Sequence, residues 1–162
     1  MKALILYDSV YGNTEKIALA IGHALGIQEE VSVVKAGEAR PDQLAGSDLL
    51  IVGAPTQRFR TTPVLSDLLK SIPKNSLRGV KVVAFDTRLS MEEINKIPVL
   101  AFFVKLFGKN AYAAWTIANQ LKKKGGQLTG SPQGFLVAGM EGPLVEGELE
   151  RAVDWARQII AS

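Results

Sequence analysis

The chain has 162 residues, 47% of them hydrophobic, with no low-complexity tract and a formal charge of +3, which fits a single domain over 1–162 with a real core. With no cysteine and one histidine, disulfides, Cys-ligated iron–sulfur clusters, thiolate zinc and a Cys nucleophile are excluded, and no metal site is expected. The basic residues are dispersed apart from Lys122-Lys123-Lys124 at a helix end, which argues against nucleic acid as a partner.

Any redox chemistry must therefore come from a bound organic cofactor. Lys2 and the short apolar run after it do not make a signal peptide, so a cytoplasmic location is expected. The longest apolar run, 97–106 interrupted only by Lys105, is about half the ~20 residues a membrane span needs, so the chain is not read as transmembrane.

Residues 2–7 read as a buried strand that runs into Asp8-Ser9-Val10-Tyr11-Gly12-Asn13-Thr14, and 15–25 then repeat at helical spacing. A helix start offers unpaired N–H groups and the positive end of its dipole, and Ser9, Tyr11, Asn13 and Thr14 add neutral donors around the same point. The loop has no Lys or Arg, so it suits a phosphomonoester better than a nucleoside triphosphate, which favours a G-x-x-x-x-G-K-[ST] loop. The same side chains also suit plain helix capping. Ile17, Ile21, Ala24 and Leu25 form the helix's buried stripe, Gly26 ends it, and His23 falls on the outer face.

A second strand is expected at 31–34, a weak helical turn near 41–44, and a third, central strand at 48–52. That strand ends in a loop rich in binding chemistry, from Gly53 through Pro55, Thr56, Gln57, Arg58 and Phe59 to Arg60. Thr62 is expected to cap a helix with Pro63 at its first position and Leu65, Leu68, Leu69 and Ile72 inward. A fourth strand at 80–85 delivers Asp86, Thr87 and Arg88 at its carboxyl end.

Residues 89–109 form a segment an ordinary strand-to-helix connection does not need. It reads as a short helix at 91–96 and a second piece, with Val99, Phe102, Phe103 and Leu106 on one stripe, that is apolar nearly all round. Asn110 is expected to cap the next helix, with Ala111, Ala114, Trp115, Ala118 and Leu121 inward. A fifth strand at 134–138, with an extension at 127–129, precedes a last helix whose core stripe is Leu149, Ala152, Val153, Ala156 and Ile160. Alternating strands and helices define a doubly wound α/β fold with a five-stranded parallel sheet, in which loops after strands one, three and four gather at one edge.

These loops resemble those of the flavodoxin family. Ser9-Val10-Tyr11-Gly12-Asn13-Thr14 is similar to its S/T-x-x-G-x-T phosphate loop, Gly53-Ala54-Pro55-Thr56 to its second flavin loop, and Asp86-Thr87-Arg88 stands where the third begins. The ending, from Gly134-Phe135 through Gly142-Pro143-Leu144 to Gly147-Glu148-Leu149, is similar to short bacterial members. The resemblance covers the chain except about 89–109. It implies strand order 2-1-3-4-5, with those residues as a helical insert after strand 4, and FMN as the cofactor.

By the same resemblance, Ser9, Tyr11, Gly12, Asn13, Thr14 and the Val10 N–H would hold the phosphate. Pro55, Thr56, Gln57 and Arg58 would line one side of the flavin, and Asp86, Thr87 and Arg88 another, with Phe59 as the aromatic of the second loop. Phe59 also suits packing against the third helix, and Leu89, Phe102 or Phe103 would cover the face where the third loop lacks an aromatic.

Family shuttles are typically strongly acidic, and this chain is not. Arg58 and Arg88 either point to solvent or approach the flavin, where a cation favours the reduced, anionic ring and hydride acceptance. The leading expectation is an electron-transfer protein serving a redox partner protein, with no catalytic residue. An FMN-dependent NAD(P)H/quinone or protoporphyrinogen-type oxidoreductase with a small quinone-like substrate is the alternative, and an interaction domain without flavin a third. The apolar 97–107 piece is read as a lid, a homodimer contact or a membrane-surface contact, and least as part of the core.

Overall fold

The computed structural model describes residues 1–26, 30–57 and 59–162. Its strands are β1 (Lys2–Tyr7), β2 (Glu30–Lys35), β3 (Leu49–Pro55), β4 (Lys81–Leu89), β5 (Gln127–Leu128) and β6 (Gln133–Val137). They pair in parallel in the order β2-β1-β3-β4, and the outer place beside β4 is shared. β5 pairs with Lys81 and Val82 at the start of β4, and β6 with Phe85 through Leu89 at its end. The fifth position is thus a strand in two pieces, and the expected extension before it is β5.

The helices are α1 (Asn13–Leu25), α2 (Pro41–Ala45), α3 (Pro63–Ser71), α4 (Met91–Asn95), α5 (Pro98–Phe107), α6 (Ala113–Lys123) and α7 (Glu148–Ala161). Among the described residues, no helix is long and apolar enough to cross a membrane. Because side chains alternate along a strand, Leu4, Leu6, Leu50, Val52, Val82 and Ala84 pack on one face of the sheet with residues of α3 and α6. Ile5, Tyr7, Ile51, Val83 and Phe85 pack on the other face with residues of α1 and α7. There Phe85, Phe135 and Trp155 meet edge to face, with centroids 5.8–6.1 Å apart. Gly53 of β3 has to lack a side chain, because a Cβ would overlap the Phe85 ring.

Several local expectations are corrected. β4 runs on to Leu89, so Asp86, Thr87 and Arg88 belong to the strand and the excursion begins after it. Thr62 occupies the N-cap of α3 without capping it, and its buried hydroxyl has no partner. Asn110 lies in a 3-10 turn, and α6 starts only at Ala113. Its buried stripe is Ala113, Ala114, Ile117, Ala118 and Leu121, which leaves Trp115 half-exposed under Lys109, whose Nζ lies 4.2 Å from the ring centroid. In α7, Leu149 is exposed, and Trp155 and Ile159 are buried with Ala152 and Ala156.

The stripe of α7 is set by its buried first residue. The Glu148 carboxylate accepts from the Leu136 N–H at 2.6 Å and from Arg151 Nε at 2.9 Å, and Arg151 also donates to the Gly134 carbonyl. Burial pushes the Glu148 carboxyl up, but the bonds from Arg151 and Leu136 outweigh it and hold the pKa below its ordinary value. A carboxylate lowered by folding contributes stability above its unfolded pKa, about 4.3, and loses it as pH falls through the folded value. Glu148→Gln is expected to cost only about 1 kcal/mol at neutral pH, because Arg151 is 39% exposed. It should also flatten the acid limb of stability against pH in urea titrations; identical acid limbs would remove the pair from that role.

Candidate functional site

The loop after β1 is shaped by two contacts. The Asp8 N–H donates to the Gly53 carbonyl at 3.0 Å, which ties the ends of β1 and β3 together. Gly12, at φ 89°, is the N-cap of α1 in the left-handed region that glycine tolerates. Ser9 Oγ accepts from the Gly12 N–H at 3.1 Å and from the Glu15 N–H at 3.4 Å, so it organises the loop from within.

Among the described residues, none accepts from the N–H groups of Val10, Tyr11, Asn13 or Thr14. These four donors at the positive end of α1 form a cradle for an anion. Thr14 Oγ1 lies 2.8 Å from Thr87 Oγ1, and Asn13 Nδ2 donates to the Glu141 carbonyl at 3.1 Å. The loop is thereby tied both to β4 and to the segment before α7.

In the second loop, the Thr56 N–H donates to the Thr87 carbonyl and its hydroxyl accepts from the Ala113 N–H, both at 2.9 Å. Gln57 and Arg60 exchange backbone hydrogen bonds across a tight turn, and Arg58 lies outside the described residues. Phe59 adopts φ 64°, an uncommon conformation for a bulky residue. Its ring stacks on Phe103 of α5, with centroids 5.1 Å apart, so its packing partner is the insert rather than the third helix.

At the end of β4, the fully buried Asp86 carboxylate takes two hydrogen bonds from Arg88, at 2.6 and 2.8 Å, and one from the Ala114 N–H at 2.9 Å. Thr56 and Asp86 therefore satisfy the first N–H groups of α6, the work expected of Asn110. Burial pushes the Asp86 carboxyl up, against the pull of the Arg88 guanidinium and the Ala114 N–H. The Arg88 guanidinium leaves no room for a Cβ at Gly134, and its carbon lies 3.7 Å from the centroid of the Tyr112 ring. Its charge is offset by Asp86, so it does not stand beside the cleft as a bare cation.

Of the residues singled out in the sequence, Ser9, Val10, Tyr11, Asn13, Thr14, Pro55, Thr56, Gln57, Thr87 and Arg88 meet around a narrow pocket of about 50 Å³. A wider cleft of about 550 Å³ shares Tyr11, Thr56, Gln57 and Arg88 with it and adds Phe59. Gly12 shapes the loop without lining the pocket, and Asp86 lies beneath it. The sequence reading missed Tyr112, Ile94, Leu100 and Met140, which also line the wider cleft. Tyr112 carried a signal, since it ends the excursion just before a helix that must return to the sheet. Among the described residues, no cluster of three His, Cys, Asp or Glu could hold a metal ion.

A doubly wound parallel sheet with an anion cradle where the strand order reverses, between β1 and β3, defines a class of mononucleotide-type α/β proteins. A family model described as a flavodoxin domain matches residues 4–133, and the chain belongs to the flavodoxin family. No curated protein matches it in sequence. Flavodoxin 2 of Bacillus cereus is similar in structure, with TM-score 0.75, 21% identity and 99% of each chain covered. A flavodoxin from the domain Archaea gives TM-score 0.73 and 19% identity over 99% of this chain and 97% of its own. Rubredoxin oxygen:oxidoreductase of Desulfovibrio gigas gives TM-score 0.69 and 20% identity over 99% of this chain and 36% of its own.

Proposed function

We propose that this protein binds FMN and transfers electrons to a redox partner protein. The observation that carries the reading is the cradle of four unpartnered N–H groups opening into the wider cleft. The residues fit the group. Ser9, Tyr11, Asn13, Thr14 and the N–H of Val10 would hold the phosphate with neutral donors. Gln57, Phe59, Leu89, Leu100 and Tyr112 would enclose the ring, and Asp86 with Arg88 would fix the wall behind it. When bound, FMN supplies reversible one- and two-electron chemistry, while the protein sets access and electrostatics.

A second reading, an FMN-dependent oxidoreductase with a quinone-like substrate, is favoured by one feature: the insert lends Ile94 and Leu100 to the cleft as an apolar wall. The test is the visible spectrum of the purified protein before and after adding FMN and removing the excess, followed by photoreduction without oxygen. Flavin bands that bleach in two one-electron stages support the electron carrier. A single two-electron stage, with turnover of NAD(P)H and a quinone, supports the oxidoreductase. A protein that stays colourless overturns both and leaves an interaction domain without flavin.

A further inference from the structure

We infer that α5 docks this protein on an anionic lipid surface, with its apolar stripe in the headgroup layer and its lysines on lipid phosphates. The inference is independent of the flavin. Val99, Phe102 and Leu106 recur at i, i+3 and i+7 and are 64%, 61% and 62% exposed. The opposite side of the helix is occupied, because Leu100 lines the cleft and Phe103 stacks on Phe59. The helix has no buried residue and packs on its chain neighbours and Phe59 rather than on the sheet, so it stands as a ridge. At ten residues it lies on a membrane rather than crossing one.

Charge selects the occupant. Residues 95–140 contain six lysines and no carboxylate. Lys96 is paired with Glu93, but Lys105 projects from α5 beside the stripe, and exposed Lys109 and Arg60 flank it. A second copy fits poorly, because a two-fold contact through the stripe would bring each Lys105 and Lys109 toward its counterpart. A protein partner would need a matched groove for a protruding helix. A lipid surface needs none, and it offers hydrocarbon to the ridge and phosphates to the flanking cations.

The test is sedimentation with vesicles of phosphatidylcholine alone or with added phosphatidylglycerol, using the full chain with and without FMN. The wild type is expected to bind the anionic vesicles in a salt-sensitive way in both forms, and to leave the neutral ones. Phe102→Ser with Leu106→Ser is expected to lower binding about a hundredfold, and Lys105→Gln with Lys109→Gln about twentyfold. All four positions are exposed, so the melting temperature should stay unchanged. No binding to anionic vesicles, or variants that bind like the wild type, would overturn the inference. A dimer that the serine pair dissolves, without lipid binding, would instead assign the stripe to a second copy. Lipid binding without FMN binding would leave this inference standing and sink the flavin reading.

Discussion

Asp86→Asn is expected to destabilise the protein by about 3 kcal/mol, lowering its thermal midpoint by roughly 10 °C. The carboxylate is fully buried, and in one place it holds Arg88 with two bonds and satisfies the Ala114 N–H. Asparagine keeps the shape and one acceptor for Ala114 but leaves the guanidinium without its counter-charge. The lower end of the range for a broken buried pair applies, because Arg88 is 18% exposed and has a path to water. Adding Arg88→Met should recover part of the loss, since no charge is then left unpaired. Urea unfolding of the two variants decides the point. A single-variant cost below about 1 kcal/mol, or no recovery in the double variant, would mean that the pair does not hold this edge together.

That role for Asp86 was not legible in the sequence. The residue type and its place at the end of a strand read as ligand chemistry, but its partners come from Arg88 and from the start of α6, which the chain reaches only after the excursion. The first loop was legible because its signal is local: a buried strand, a glycine and a helix start lie within one short stretch. The sheet was legible for a related reason, since strands covered on both faces are apolar throughout. Helix stripes failed where a tertiary contact set the phase. Glu148 turns inward to meet Leu136 and Arg151, which rotates α7 so that Trp155 rather than Leu149 reaches the core. The all-round apolar character of α5 was visible, and its exposure follows from both faces of the sheet being already covered.

Ser9→Asp separates capping from anion binding at the first loop. Aspartate is as good a helix-capping acceptor as serine, so it should keep the contacts with the Gly12 and Glu15 N–H groups and gain from the positive end of α1. Stability should change by no more than about 0.5 kcal/mol. The new carboxylate would, however, sit in the pocket that the Val10, Asn13 and Thr14 N–H groups face. At ~5 Å and an effective dielectric of ~20, each negative charge on a phosphate then meets a repulsion of roughly 3 kcal/mol. FMN affinity is therefore expected to fall by more than about a hundredfold, while riboflavin, which lacks the phosphate, should bind the variant as it binds the wild type. Fluorescence titration with both ligands reads the difference. If riboflavin weakens as much as FMN, the loop does not hold the phosphate; if neither weakens, the cradle serves only to start α1. Selective loss of FMN alone requires an anion at the helix start, a requirement that plain capping by Ser9 does not meet.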